Sequence, residues 1–198
     1  MSNTAVLLID PYNDFLHEEG KLYGRLAESI KDSDTITHLF EVVNAARSAG
    51  IPIFYCMHQQ TDQYTYRGWK YLNNSQKGLG SNKVFEEGSF GAQFYKGLQP
   101  DFDAGDVVVS KHWNSSSFAN TDLDYQLHKR GISKVVLAGL IANTCIEATA
   151  RYAYERSNAT AAFTTELKNV ATDLVWPLFA NRVCTAAEWA DSIKGAAV

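Results

Sequence analysis

Short apolar runs and amphipathic stretches take turns along this chain almost from its first residue, and this alternation limits the fold more than any other feature. Ala5 to Ile9, AVLLI, contains no polar side chain, the pattern of a strand buried on both faces of a sheet. From about 27 to 49, apolar residues recur at Ile30, Ile36, Leu39, Phe40, Val43 and Ala46, and Gly50 is a stop signal, so one helix is predicted there. Ile51 to Met57 reads as the next strand and Val107 to Ser110 as another. A helix follows at about 120 to 130, closed by Gly131, then a strand from Lys134 to Gly139 and an Ala-rich helix from Asn143 to Arg156. A helix near 173 to 181 and a short strand at Val183 complete the series. Strands separated by helices are joined by crossovers rather than hairpins. The prediction is an α/β, Rossmann-like domain with a doubly wound, mostly parallel five- or six-stranded sheet and helices on both faces. Between 58 and 104 the alternation dissolves into a segment dotted with Tyr64, Tyr66, Trp69, Tyr71, Phe85, Phe90, Phe94 and Tyr95. A loop of that length in a compact domain is usually functional.

Length and composition exclude several classes. The 198 residues suit one domain spanning 1–198, large enough to bury a core without disulfides. A net charge of -4 with no basic cluster gives a polyanion nothing to bind, so no nucleic-acid partner is expected. The N-terminal stretch lacks the basic and apolar regions of a signal peptide, and no apolar run reaches the ~18 residues of a membrane span. A cytoplasmic protein with no membrane association is expected. Cys56, Cys145 and Cys184 are odd in number and spaced neither as a disulfide framework nor as a zinc site. The five histidines show no metal spacing either, and only His112, beside Lys111, is expected near a site.

Three residues share one location in the predicted fold. Asp10 and Lys111 follow strands, and Cys145 opens the helix after the 134–139 strand. In open parallel sheets, ligands gather outside the carboxyl ends of the strands. A cysteine in a first helical turn feels the positive end of the dipole, and a nearby ammonium would lower its pKa further. An acid beside it can take the thiol proton and return it to a leaving amine. Cys56 and Cys184 lie within or near strands and read as small core residues.

The segments AVLLIDPYNDF (5 to 15), SKHWNSSSFANTDLDYQLHKRGI (110 to 132), VVLAGLIANTCIEATARYA (135 to 153) and RVCTAAEW (182 to 189) resemble the isochorismatase-like cysteine hydrolases in order and spacing. The resemblance implies a catalytic triad of Asp10, Lys111 and Cys145. It implies an oxyanion hole made by the backbone N–H groups of Ile141 and Cys145, with a cis peptide between Leu140 and Ile141. Phe15 and Phe118 match positions that line the family's pocket, and Thr144 a position beside the nucleophile. Trp69 and Trp113 are further substrate-binding candidates from their own positions.

The metal-holding Asp-x-His pair of related nicotinamidases is absent from YCMHQQ (55 to 60), where His58 stands alone. No metal and no organic cofactor are therefore expected. NATAAF (158 to 163) matches a family segment that normally follows a further strand. Either that strand is missing here or Ala159 to Phe163 substitutes for it. The implied function is hydrolysis of a C–N bond in a small amide or carbamoyl substrate through a Cys145 thioester. Alternatives are enol-ether cleavage of the isochorismatase type and an inactive binding protein of the same fold. The partners expected are a small-molecule substrate and further copies of the chain in a homo-oligomer.

Overall fold

A computed structural model describes residues 3–113, 115–153, 156–161, 163–178, 180 and 182–194. Six parallel strands, β1 (Thr4–Ile9), β2 (Ile53–Cys56), β3 (Val107–Val108), β4 (Lys134–Leu140), β5 (Arg156–Ala161) and β6 (Val183–Cys184), form one sheet in the order β3-β2-β1-β4-β5-β6. β1 is central because it can be: Ala5 to Ile9 are all fully buried, and an all-apolar run tolerates neighbours on both edges and both faces. It pairs with β2 from Val6↔Ile53 to Ile9↔Cys56 and with β4 from Thr4↔Lys134 to Ile9↔Gly139. The chain moves outward from β1 to β3, returns across the sheet to β4 and moves outward again to β6. Right-handed crossovers running in opposite directions put helices on opposite faces, so the sheet is doubly wound and its order reverses between β1 and β4.

The helices depart from the sequence pattern in informative places. α1 (Asn13–Leu16) is a single turn, and the helix predicted over 27–49 is two, α2 (Tyr23–Asp32) and α3 (Thr35–Ser48). They part where Asp34 takes a left-handed φ of +44°, a conformation that a continuing helix cannot hold. The 58–104 segment contains α4 (Asn74–Ser81), whose glycines disguise it. Its start is a capping box in which the Asn73 side chain accepts from Gln76 N–H and the Gln76 side chain from Asn73 N–H. α5 (Leu123–Lys129) follows β3.

After β4 the chain makes one π-helical turn, Ala142–Ile146, and only one α-helical turn, α6 (Glu147–Ala150). The helix predicted to reach Arg156 stops early because Arg156 already opens β5. This strand runs through the first four residues of NATAAF, so the segment itself substitutes for the strand expected before it, pairing with β4 across a register irregularity between Leu137 and Gly139; Ala162 lies outside the described residues. α7 (Thr165–Asn169), a π turn (Val170–Val175) and a 3-10 turn (Trp176–Leu178) replace the helix predicted near 173–181. α8 (Ala186–Lys194), which the sequence reading passed over, packs against α3.

Two features set the strand ends in place. Buried Asp106, just before β3, accepts from Arg47 Nη2 of α3 (2.9 Å), from Ile53 N–H of β2 (3.2 Å) and from Asp101 N–H (2.9 Å). Gly139 has a φ of +124°, and a Cβ there would stand 2.0 Å from the Ile9 carbonyl oxygen. Only glycine lets β4 approach β1 this closely. Among the described residues no helix is long and apolar enough to cross a membrane.

Candidate active site

The reversal of strand order opens a crevice at the carboxyl ends of β1 and β4, where open α/β sheets bind ligands. Asp10 leaves β1 with a φ of +53°, a conformation that Asp tolerates better than most residues. Its N–H still donates to Cys56 O (3.0 Å), so the turn is anchored to β2. The carboxylate is fully buried. Oδ1 accepts from His58 N–H at 2.6 Å and lies 3.2 Å from His112 Nε2, whereas Oδ2 is buried with no hydrogen-bond partner among the described residues.

Cys145 stands in the π turn after β4 and is 8% exposed. The Thr144 hydroxyl lies 3.9 Å from its sulfur, and the backbone of Ile141 also hydrogen-bonds to it. The Leu140–Ile141 peptide is cis. A ligand atom each from Asp10, His112 and Cys145 lie within 4.8 Å of one another. An oxygen, an imidazole nitrogen and a sulfur so placed could also hold a soft or borderline metal ion.

Burial, reinforced by the charge and the hydrogen bond of Asp10, pushes the Cys145 thiol well above the usual cysteine range, outweighing the contacts from Thr144 and Ile141. This reverses the expectation of a thiolate stabilised by a helix dipole and an ammonium. The group therefore rests as a thiol and needs a base in contact when it reacts. His58, buried beside Asp10 and His112 with Nδ1 2.8 Å from Gln59 O, is pushed down in pKa by burial and stays neutral.

Lys111 does not join this group. Its Nζ donates to Gln60 Oε1 at 2.9 Å, away from the residues that line the crevice. The cause is strand alternation. His112 bridges to His58, donating its N–H to Met57 O (3.0 Å) and accepting from Gln59 N–H (2.8 Å), and in this register His112 faces Asp10. The neighbouring residue turns elsewhere.

The crevice is a cavity of about 400 Å³. Asp10, His58, Ile141, Thr144 and Cys145 meet an apolar wall of Phe15, Leu22, Leu79, Val84 and Phe85. α4 and its flanks supply a polar wall of Asn73, Asn74, Ser75 and Asn82, and Arg25 stands 4.9 Å over the Phe163 ring at the rim. Phe15 and Thr144 therefore share the cavity with Cys145, and Trp69, Trp113 and Phe118 do not. The two tryptophans pack on each other, ring centroids 5.3 Å apart, with Tyr66 against Trp69. Phe118 sits against Tyr152 at 6.0 Å. The sequence reading missed the α4 wall, Arg25 and the approach of His58; the Asn73/Gln76 capping pattern was the available signal for α4.

Comparison with known proteins bears on the family and the fold. The family model described as "Isochorismatase domain" matches residues 4–188. The ureidoacrylate amidohydrolase RutB of Yersinia enterocolitica is 28% identical over 160 residues, 76% of this chain and 68% of that protein. Two further RutB proteins are covered over 62% and 65% of their length, so the chain spans about two thirds of the curated relatives it matches. A cysteine hydrolase from Pseudomonas syringae superposes with a TM-score of 0.77 at 21% identity, over 99% of this chain and 95% of the other. N-carbamoylsarcosine amidase from Thermoplasma acidophilum superposes with a TM-score of 0.61 at 25% identity, over 92% and 94%. With the family model covering nearly the whole chain and the site at the sheet's switch point, the protein belongs to the isochorismatase domain family.

Proposed function

We propose that the chain hydrolyses the C–N bond of a small amide or carbamoyl compound through a thioester on Cys145. The observation that carries this reading is the buried pair at the cavity floor: a Cys145 thiol with an Asp10 carboxylate within 4.8 Å. The names of two relatives, an amidohydrolase and an amidase, point to the same bond class.

In the proposed cycle the substrate carbonyl lies over Sγ. The S–H proton passes to Asp10 as the sulfur attacks the carbonyl carbon, and the C=O electron pair moves onto oxygen. The backbone N–H groups of Ile141 and Cys145 are proposed to receive that oxyanion. Collapse breaks the C–N bond, and Asp10 gives its proton to the departing nitrogen. Asp10 then takes a proton from water as the water attacks the thioester, and a second collapse releases the acid and restores the thiol. A thiol held neutral suits this route, because the base acts in the same step as the attack. Organisation as one domain over 1–198, residence in the cytoplasm and assembly into a homo-oligomer belong to the same proposal.

Screening small amides, ureas and carbamoyl compounds for ammonia or amine release tests it. Cys145→Ala should abolish turnover, and a stalled thioester should add the acyl mass to Cys145. Full turnover in Cys145→Ala would instead favour enol-ether chemistry, which needs no sulfur nucleophile.

A further inference from the structure

We infer that His112, not Lys111, is the third catalytic group of this site, acting as an imidazolium beside both Asp10 and Cys145; this rests on Cys145 being the nucleophile. His112 Nε2 lies 3.2 Å from Asp10 Oδ1, with both side chains 1% exposed, and the same imidazole is within reach of the Cys145 sulfur. Its backbone is held on both sides by Met57 and Gln59, and its ring meets the His58 ring edge to face, centroids 5.2 Å apart and planes at 81°. The ring is thus fixed in direction, whereas the one cationic side chain adjacent to it in sequence is committed to Gln60.

The chemistry of the site calls for a cation at this position. When the thiol proton moves to Asp10, an S–H bond breaks, an O–H bond forms, and the negative charge shifts from the carboxylate to the sulfur. An imidazolium touching both atoms stabilises the charge before and after the transfer, at low dielectric where such contacts count most. With Nε2 facing Oδ1 at 3.2 Å, the other carboxylate oxygen, Oδ2, which is buried and has no hydrogen-bond partner among the described residues, is left to receive the proton. His112 keeps its own proton throughout, and the atoms balance without any other reactant.

Histidine differs from lysine in one measurable way, since it loses its charge near neutral pH. The titratable groups around His112 are Asp10 from the end of β1, His58 from the end of β2 and Cys145 from the turn after β4. Tyr12 and Cys56, which also feel Asp10, are pushed up by burial and stay neutral. Of these, Asp10 is the acidic group that faces the imidazole directly, at 3.2 Å.

The test is alkylation of Cys145 by iodoacetamide across pH, which needs no substrate, run beside turnover on any amide found by screening. His112→Gln should slow alkylation at neutral pH about tenfold and lower kcat roughly 10²-fold with KM little changed. His112→Lys should retain most of the alkylation rate and move the alkaline limb of the kcat profile up by more than about one pH unit. Lys111→Met should match the parent in both assays. Loss of Cys145 reactivity in Lys111→Met, or an alkaline limb unmoved in His112→Lys, overturns the inference. If His112→Gln fails to fold, Lys111→Met decides alone, because its side chain is partly exposed and outside the core. Alkylation that depends on His112 without turnover of any amide would leave this inference standing and remove the amidase reading. Amide turnover that needs Cys145 and Lys111 but not His112 would do the reverse.

Discussion

A methyl group at position 139 would have to enter space that β1 already fills. The Cβ of Gly139→Ala meets Ile9 O at 2.0 Å and Ile9 N at 2.7 Å, where ordinary contact begins at 3.4 Å. β1 and β4 must therefore part by roughly 1 Å or more, because packed interiors offer little slack. A side chain at a φ of +124° adds backbone strain of about 1–3 kcal/mol, and the overpacking costs a similar ~1–3 kcal/mol. The expected loss is about 2–6 kcal/mol, a large share of the ~5–15 kcal/mol typical of a domain. Function should suffer separately. Ile9 leads directly into Asp10 and Gly139 into the turn bearing Cys145, so parting the strands separates acid from nucleophile, and a misplacement of ~1 Å costs about 10²-fold in rate. Gly131→Ala is the control: φ is +66° but a Cβ there meets nothing within 4 Å, so it should lose only the ~1–2 kcal/mol left-handed penalty and no turnover. Urea unfolding gives the stability of each variant, and product release per folded molecule gives the rate. A Gly139→Ala protein as stable and as active as Gly131→Ala would refute this account of the strand approach.

Three further outcomes are expected. His58 is pushed down in pKa by burial, so its native form resists a proton that the unfolded chain accepts near pH 6.5. Its stability contribution is intact above that value and declines as pH falls below it, so between pH 7 and 5.5 the melting temperature of His58→Gln should fall less than that of the parent. Asp106→Ala leaves two backbone N–H groups without their acceptor and strips Arg47 of its ion-pair partner, although Gln99 O and Tyr55 Oη still accept from it, and should cost about 3 kcal/mol in chemical denaturation; a loss under ~1 kcal/mol would mean that water replaces the carboxylate. Trp69→Ala and Trp113→Ala should leave KM unchanged, and Phe15→Ala should raise it severalfold, because only Phe15 lines the cavity. Steady-state kinetics on one amide decides among the three.

The alternation of apolar and amphipathic segments determined the fold class, the central place of β1 and the strand-end positions of Asp10 and Cys145, because burial periodicity and strand exits are local properties of the chain. What lies beside a residue in space is not local. Lys111 and His112 are adjacent and both polar, and only pairing with β2 decides which one faces Asp10. The thiol's protonation state follows from burial and from a carboxylate 135 positions away in sequence, neither of which a helix start reveals. β5 forms from a segment of weak strand character because β4 presents an open edge there. The chain's own pattern thus fixes where the chemistry sits, and tertiary register decides which side chains perform it, since a shift of one residue turns every side chain to the other face.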